Sequence, residues 1–194
     1  ITNVVFMGMG EPFLNYNNSI LAADLLHHPK GINMGAWRIT ISTAGITKKI
    51  KQFANDAHPY KLAVSLNGSN QEQRLMTMPI TKTQSFSELL EVSQYYTHRT
   101  RKRVTFEYVL MAGVNDDPID AKNLKEILAP INCKLNLIPY NEINGPYRRP
   151  SDTVIKLFIS SLKNASFPVT VRWSKGQDID AGCGQLATVS EVNK

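Results

Sequence analysis

Short apolar runs of strand length alternate along this chain with longer segments in which apolar residues recur every three or four positions. We predict six strands and five intervening helices from this pattern: strands at 3–9, 37–42, 61–66, 104–110, 134–138 and 169–173, and helices at 18–27, 46–55, 85–97, 121–128 and 153–164. Regular alternation of this kind predicts an α/β fold with a parallel sheet. Runs such as V-V-F-M and L-N-L-I are nearly continuous in apolar residues, which is typical of strands buried on both faces.

The length of the chain limits how this sheet can close. An eight-unit α/β barrel usually needs about 250 residues, whereas this chain has 194. It therefore holds five strand–helix units and a final strand, either as an open sheet or as part of a barrel. Because no repeat, low-complexity tract or linker interrupts the pattern, we expect one domain over residues 1–194. The chain opens inside an apolar run without a methionine, so we also expect that it is truncated at the N-terminus.

Composition and charge narrow the possible classes of protein. Two cysteines are too few for a disulfide framework, and the sequence has neither an export signal nor an apolar run of membrane-spanning length. We therefore expect a cytoplasmic protein with no membrane partner. A net charge of +6 is compatible with a nucleic-acid partner. The four histidines and two cysteines show no metal-ligand spacing, so the residues alone indicate no metal site.

Polar residues follow four of the predicted strands, at the end where ligands gather in parallel α/β folds. The glycines of G-M-G-E-P allow the backbone to approach a ligand closely, and Glu11 offers a carboxylate to an ammonium group. The later strands end in S-T-A-G, S-L-N and I-P-Y-N. Three of the four have a simpler interpretation, with Glu11 solvated in a turn, Ser42 capping a helix and Asn141 forming an Asx turn. Their position at one end of successive strands is the argument for a site.

The two cysteines differ in their surroundings. Cys133 precedes an apolar run, so we expect it in the core. Cys183 lies between two glycines in D-I-D-A-G-C-G-Q-L, where a thiol has few packing partners. It is therefore a candidate nucleophile, and the positive charges of Arg172 and Lys175 would favour its thiolate form.

Two basic stretches are candidates for binding phosphate. The stretch H-R-T-R-K-R, residues 98–103, is more simply a solvated charged surface. The stretch Y-R-R, residues 147–149, follows the fifth predicted strand and therefore lies nearer the predicted site. It is the better candidate for a phosphate contact.

The motifs, taken in order, resemble those of the radical S-adenosylmethionine enzymes that methylate C2 of adenine in RNA. The set comprises G-M-G-E-P-x-L-N, S-T-A-G, S-L, E-Y-V-L followed by V-N-D, C-K-x-N-L-I-P-x-N and G-x-D-I-D-A-G-C-G-Q-L. The resemblance spans nearly the whole chain, and the terminal cysteine motif is its most specific part. It implies a partial (β/α)6 barrel that lacks its first strand–helix unit.

The resemblance also implies a cofactor site and a catalytic residue. The positions that would bind S-adenosylmethionine are Gly10, Glu11, Ser42, Ser65, Leu66, Asn67 and Asn141. Cys183 would accept a methyl group and deliver it to C2 of adenosine in 23S rRNA and tRNA. A 4Fe-4S cluster would cleave a second S-adenosylmethionine, with an electron donor such as flavodoxin, and a second cysteine would resolve the RNA adduct by forming a disulfide with Cys183. The implied enzyme acts as a monomer.

Several expected parts of such an enzyme are missing from the sequence. The three cluster cysteines, the resolving cysteine, the catalytic base and the RNA-binding domain have no match here, so we expect the chain to be inactive alone. Asn67 stands where many members have His. Three alternatives stay open: an RNA-binding module without a cluster, a relative that methylates C8, and an unrelated α/β enzyme with a phosphate ligand. The last is disfavoured because the sequence has no G-x-x-x-x-G-K loop.

Overall fold

The computed structural model describes residues 1–142 and 145–173. Among these residues, six parallel strands form one sheet in chain order. The strands are β1 (Val4–Phe6), β2 (Ile39–Thr43), β3 (Lys61–Ser65), β4 (Val104–Leu110), β5 (Cys133–Pro139) and β6 (Val169–Val171). The helices are α1 (Tyr16–His27), α2 (Thr47–Asn55), α3 (Gln71–Thr77), α4 (Phe86–Thr100), α5 (Pro118–Leu128) and α6 (Asp152–Ser161), with short 3-10 helices at Pro12–Asn15, Ala36–Arg38 and Pro79–Lys82. The predicted α/β fold with a parallel sheet is confirmed.

The two faces of the sheet differ in character because side chains alternate along each strand. In β4, Val104, Phe106 and Tyr108 are fully buried in the apolar core that the helices cover. Thr105 and Glu107 lie between them in sequence and therefore belong to the opposite face. The same alternation in β2, β3 and β5 places an apolar core on one side of the sheet and polar side chains on the other.

Local sequence signals account for the helix ends. Ser85 and Glu88 form a capping box at the start of α4, in which each side chain accepts a backbone hydrogen bond from the other residue. Asp117 and Asp120 do the same at α5, where Pro118 occupies the first turn. No helix among the described residues is long and apolar enough to cross a membrane.

The structure differs from the predicted elements in two respects. Helix α3 was missed because its buried residue is Arg74, while Leu75 and Met76 are exposed, so the segment has no apolar periodicity to detect. Strands β1 and β6 have three residues each and are shorter than predicted. Both lie at the edges of the described sheet, where a strand has a hydrogen-bonding neighbour on one side only.

Cys133 is in the core, as predicted. Its side chain is 2% exposed at the start of β5, and its thiol contacts the carbonyl oxygen of Leu128 at 3.9 Å. Burial raises the pKa of the Cys133 thiol to about 12. The thiol is therefore protonated at neutral pH and is a poor nucleophile.

Candidate functional site

A cavity of about 230 Å³ opens where the carboxyl ends of the strands meet. Its lining comes from the turns after β1, β2 and β3, from the ends of β4 and β5, and from Arg172 after β6. Five of the residues predicted from sequence contribute to this lining: Gly10, Glu11, Ser42, Ser65 and Asn67. The structure thus brings three of the four polar strand ends together around one cavity.

The turn after β1 is shaped around Glu11. Gly10 has a φ of 92°, a backbone conformation that other residues rarely adopt. The carboxylate of Glu11 accepts a hydrogen bond from the amide of Phe13 at 2.9 Å through one oxygen and from the amide of Ala44 at 2.5 Å through the other. Glu11 is therefore more than a solvated turn residue, because it ties the first turn to the second. Each oxygen can accept a further bond, so an ammonium group can still be recognised.

The turn after β2 leaves Ser42 available to the cavity. The residue that precedes α2 is Ile46, and no side chain caps the helix there. The backbone amides of this turn donate to Thr43 instead, since its hydroxyl accepts hydrogen bonds from the amides of Gly45 at 3.1 Å and Ile46 at 3.4 Å. The interpretation of Ser42 as a helix cap is therefore wrong, and its side chain lines the cavity.

The turn after β3 is fastened to β4 by Asn67. This residue has a φ of 53°, and its side-chain oxygen accepts from the amide of Val109 at 2.9 Å. Its backbone oxygen accepts from the side chain of Asn115 at 3.0 Å. Leu66 is fully buried in the core and its side chain does not line the cavity, whereas Ser65 and Asn67 on either side of it do.

Besides Leu66, one predicted residue among those described is not brought into this lining. Asn141 follows β5 and is 4% exposed, but it is not among the residues that line the cavity. Cys183 and Lys175 lie outside the described residues.

Glu107 is a site residue that we did not predict individually. It lies in β4 beside Ser65 of β3 and Asn136 of β5, it lines the cavity, and it is 8% exposed. Asn136 donates a hydrogen bond to its carboxylate at 2.8 Å. Burial raises the pKa of Glu107, although that hydrogen bond and the positive charges of Arg172 and Lys134 oppose the effect. The available signal was a carboxylate in the otherwise apolar stretch F-E-Y-V-L.

The two arginines after β5 make hydrogen bonds and an ion pair within the protein. The guanidinium of Arg149 pairs with Asp152 at 2.7 Å, and that of Arg148 donates to the carbonyl oxygens of Gly145 at 2.6 Å and Tyr147 at 2.9 Å. Arg148 is exposed and retains further donors for a phosphate.

The other basic stretch, 98–103, joins the end of α4 to the start of β4. It therefore lies at the amino end of the sheet, opposite the cavity. Lys102 donates to the carbonyl oxygen of His58, and Arg103 donates to Asn132 at 3.4 Å. These contacts give the stretch a structural role and leave it remote from a ligand in the cavity.

The lining of the cavity suits a ligand that carries positive charge and hydroxyl groups. Glu11 and Glu107 supply carboxylate oxygens, and Ser42 and Ser65 supply hydroxyls. These groups fit the ammonium and sulfonium charges of S-adenosylmethionine. They do not fit a metal centre, since within residues 1–142 and 145–173 no group of three or more His, Cys, Asp or Glu side chains could hold a metal ion.

Comparison with known proteins agrees with this geometry. Residues 1–122 match the model of the Radical SAM superfamily. The chain is 44% identical over 188 residues to a probable dual-specificity RNA methyltransferase RlmN of Flavobacterium psychrophilum, an alignment that covers 96% of this chain and 54% of that protein. The chain therefore spans about half the length of the curated relatives it matches.

Two solved structures resemble the fold. A radical SAM methyltransferase from Sphaerobacter thermophilus superimposes with a TM-score of 0.91 at 42% identity, covering 95% of this chain and 55% of that one. A domain of a pyruvate-formate lyase-activating enzyme from Bacteroides vulgatus superimposes with a TM-score of 0.66 at 17% identity, covering 89% of this chain and 99% of that one, and it shares the fold alone. From the family match and the structural similarity together, we conclude that this chain belongs to the radical SAM superfamily.

Proposed function

We propose that this chain is the catalytic part of a radical S-adenosylmethionine enzyme that methylates C2 of adenosine in 23S rRNA and tRNA. The observation that carries the proposal is the convergence of the turns after β1, β2 and β3 on one cavity, with the carboxylate of Glu11 joining the first turn to the second. Relatives named as dual-specificity RNA methyltransferases at 41–44% identity support the reaction class.

When bound, S-adenosylmethionine supplies both the methyl group and the radical chemistry. The residues of this chain bind and orient it. Glu11 accepts hydrogen bonds from the ammonium group, and the positive φ of Gly10 lets the backbone approach the ligand. The hydroxyls of Ser42 and Ser65 bind its polar groups, and Asn67 holds the third turn against β4. Leu66 would contribute through its backbone and Asn141 from the turn after β5.

Cys183 is the proposed methyl carrier, as the resemblance of its motif implies. Cys133 is unsuited to this role because its thiol is buried and protonated. The described residues do not fit a 4Fe-4S cluster, so the ligands of such a cluster would come from outside them. Flavodoxin or a similar donor would supply the electron, and the enzyme would act as a monomer.

The test is to express the full-length gene in cells that lack the activity and to measure 2-methyladenosine in 23S rRNA and tRNA by mass spectrometry. Cys183→Ala should abolish the modification, whereas Cys133→Ala serves as the matched control and should retain it in proportion to the folded protein. Modified RNA from the Cys183→Ala protein would refute the assigned role. Formation of 8-methyladenosine would favour the C8 alternative, and RNA binding without any methylation would favour a binding module.

A further inference from the structure

Arg74 in α3 is the largest fully buried side chain in the described structure, with 0% exposure. Burial of a guanidinium without a paired anion is costly. No carboxylate lies within ion-pair distance of it among the described residues. Burial lowers the pKa of Arg74 to about 10, so the side chain is still charged at neutral pH. A charge in this environment needs an explanation beyond packing, because an apolar side chain of similar volume would bury more cheaply.

Arg74 contacts two of the segments that line the cavity, around Ala44 and Ser65, and it also contacts Thr81. One terminal nitrogen donates to the carbonyl oxygen of Ala44 at 2.5 Å and more weakly to that of Ser65 at 3.4 Å. The other donates to the hydroxyl of Thr81 at 2.6 Å. Its Nε has no hydrogen-bond partner in the part of the chain that the structure describes. The guanidinium of Arg74 therefore donates to backbone carbonyls in the turn after β2 and at the end of β3.

Ala44 is held from both sides as a result. Its amide donates to Glu11, and its carbonyl oxygen accepts from Arg74. Charge-assisted hydrogen bonds of this kind are shorter and stronger than neutral ones. The chain of contacts runs from the first turn through the second to the buried guanidinium, and a weaker branch reaches the third turn at Ser65.

Gly45 in the second turn and Gly68 in the third turn both lie close to Arg74. A Cβ atom at Gly45 would lie 2.9 Å from the terminal nitrogen of Arg74, and one at Gly68 would lie 2.6 Å from its backbone nitrogen. Neither glycine has room for a side chain, since the neighbour of Gly45 is the side chain of Arg74 and the neighbour of Gly68 is the backbone of the same residue. The turns and the arginine are therefore packed as one unit.

We propose that Arg74 is a positioning residue that holds the 42–45 and 65–67 turns, and through Ala44 the carboxylate of Glu11, in the geometry that binds S-adenosylmethionine. The inference rests on the proposed function, since it concerns the same cavity. Arg74 is not among the residues that line the cavity, so its effect on the ligand is indirect.

The test compares Arg74→Met and Arg74→Lys with Thr81→Val in the protein expressed from the full-length gene. Thr81→Val is the matched control, because it removes the other partner of the guanidinium while leaving the contacts to both turns. Amide hydrogen exchange of peptides covering 42–47 and 63–69 is measured by mass spectrometry, together with thermal unfolding and the affinity for S-adenosylmethionine.

We expect Arg74→Met to accelerate exchange in both peptides and to weaken binding about tenfold or more, the usual effect of losing a charged hydrogen bond. Arg74→Lys retains one donor and should recover part of both losses. Thr81→Val should lower the melting temperature without changing either readout.

The proposal is overturned if the folded Arg74→Met protein keeps the exchange rates and affinity of the parent chain, or if Thr81→Val reproduces its losses. Should Arg74→Met fail to fold, the Lys variant decides, since unchanged exchange in both peptides would equally overturn the proposal. If the full-length parent protein binds no S-adenosylmethionine, the proposed function fails, while the exchange measurement still decides the role of Arg74.

Discussion

Substituting Gly45 by alanine should destabilise the protein more than the same change at another glycine of positive φ. Gly45 has a φ of 110°, and a Cβ atom there would lie 2.9 Å from the terminal nitrogen of Arg74 and 3.0 Å from a methyl carbon of Leu89. Both neighbours are fully buried, so neither can move aside without disturbing the packing around it.

The expected cost has two parts. A non-glycine residue in a sparsely populated backbone region costs about 1–3 kcal/mol. Overpacking against buried side chains typically adds about 1–3 kcal/mol. A combined loss of about 4 kcal/mol would lower the melting temperature by roughly 8–16 °C for a chain of this length. Because domains have stabilities of about 5–15 kcal/mol, most of this range leaves the variant folded and measurable.

Gly113→Ala is the matched control. Gly113 also has a positive φ, 68°, but a Cβ atom there would meet nothing within 4 Å. Its substitution should cost only the backbone part, about 1–3 kcal/mol. Urea unfolding followed by circular dichroism gives both values. Equal losses at Gly45 and Gly113 would show that Arg74 and Leu89 do not confine the second turn, and the reasoning would be refuted.

Three further predictions concern single side chains. Glu11→Gln should lower stability by about 2 kcal/mol in urea unfolding, because one of the two acceptor oxygens becomes an NH2 group, which cannot accept from the amide that it faces, that of Ala44 or that of Phe13; an unchanged midpoint would contradict the link between turns. Burial raises the pKa of Glu107 in the folded protein, so its ionisation costs stability as pH rises above its unfolded-state pKa of about 4.3. Glu107→Gln should therefore be more stable than the parent at pH 7 and lose that advantage at pH 4, and the opposite order of urea midpoints would exclude this account. Cys133 should resist iodoacetamide in the native protein and react after denaturation, as read by peptide mass spectrometry, since burial raises the pKa of its thiol to about 12; rapid labelling of the native protein would count against its burial.

Much of the fold could be predicted from the sequence, because the pattern of apolar residues indicates which side of each helix or strand faces the core. The strands and the longer helices carry that pattern. Helix α3 does not, since its one buried side chain is the charged Arg74 and its burial depends on partners 30 residues away in the chain.

The site was predicted unevenly for a similar reason. Glu11 follows β1, and Ser42 and Ser65 lie at the carboxyl ends of β2 and β3, positions that the topology of a parallel sheet brings together. Glu107 sits inside a strand, where a single carboxylate has no periodic signature. Only the register with Ser65 shows that it faces the same cavity. Local sequence also could not show that Thr43, rather than Ser42, completes the turn before α2.

The in-order arrangement of the strands has a consequence for how a ligand acts on the whole molecule. The cavity draws its walls from segments as far apart in the chain as Gly10 and Arg172, so it exists only while every strand between them is in place. A partly unfolded chain cannot bind a ligand there. The binding free energy is therefore added to the free energy of global unfolding. At a concentration of 100 times its dissociation constant it would contribute about 2.7 kcal/mol. Saturation of the cavity with ligand should therefore increase the resistance of the entire sheet to proteolysis, and not that of the turns alone.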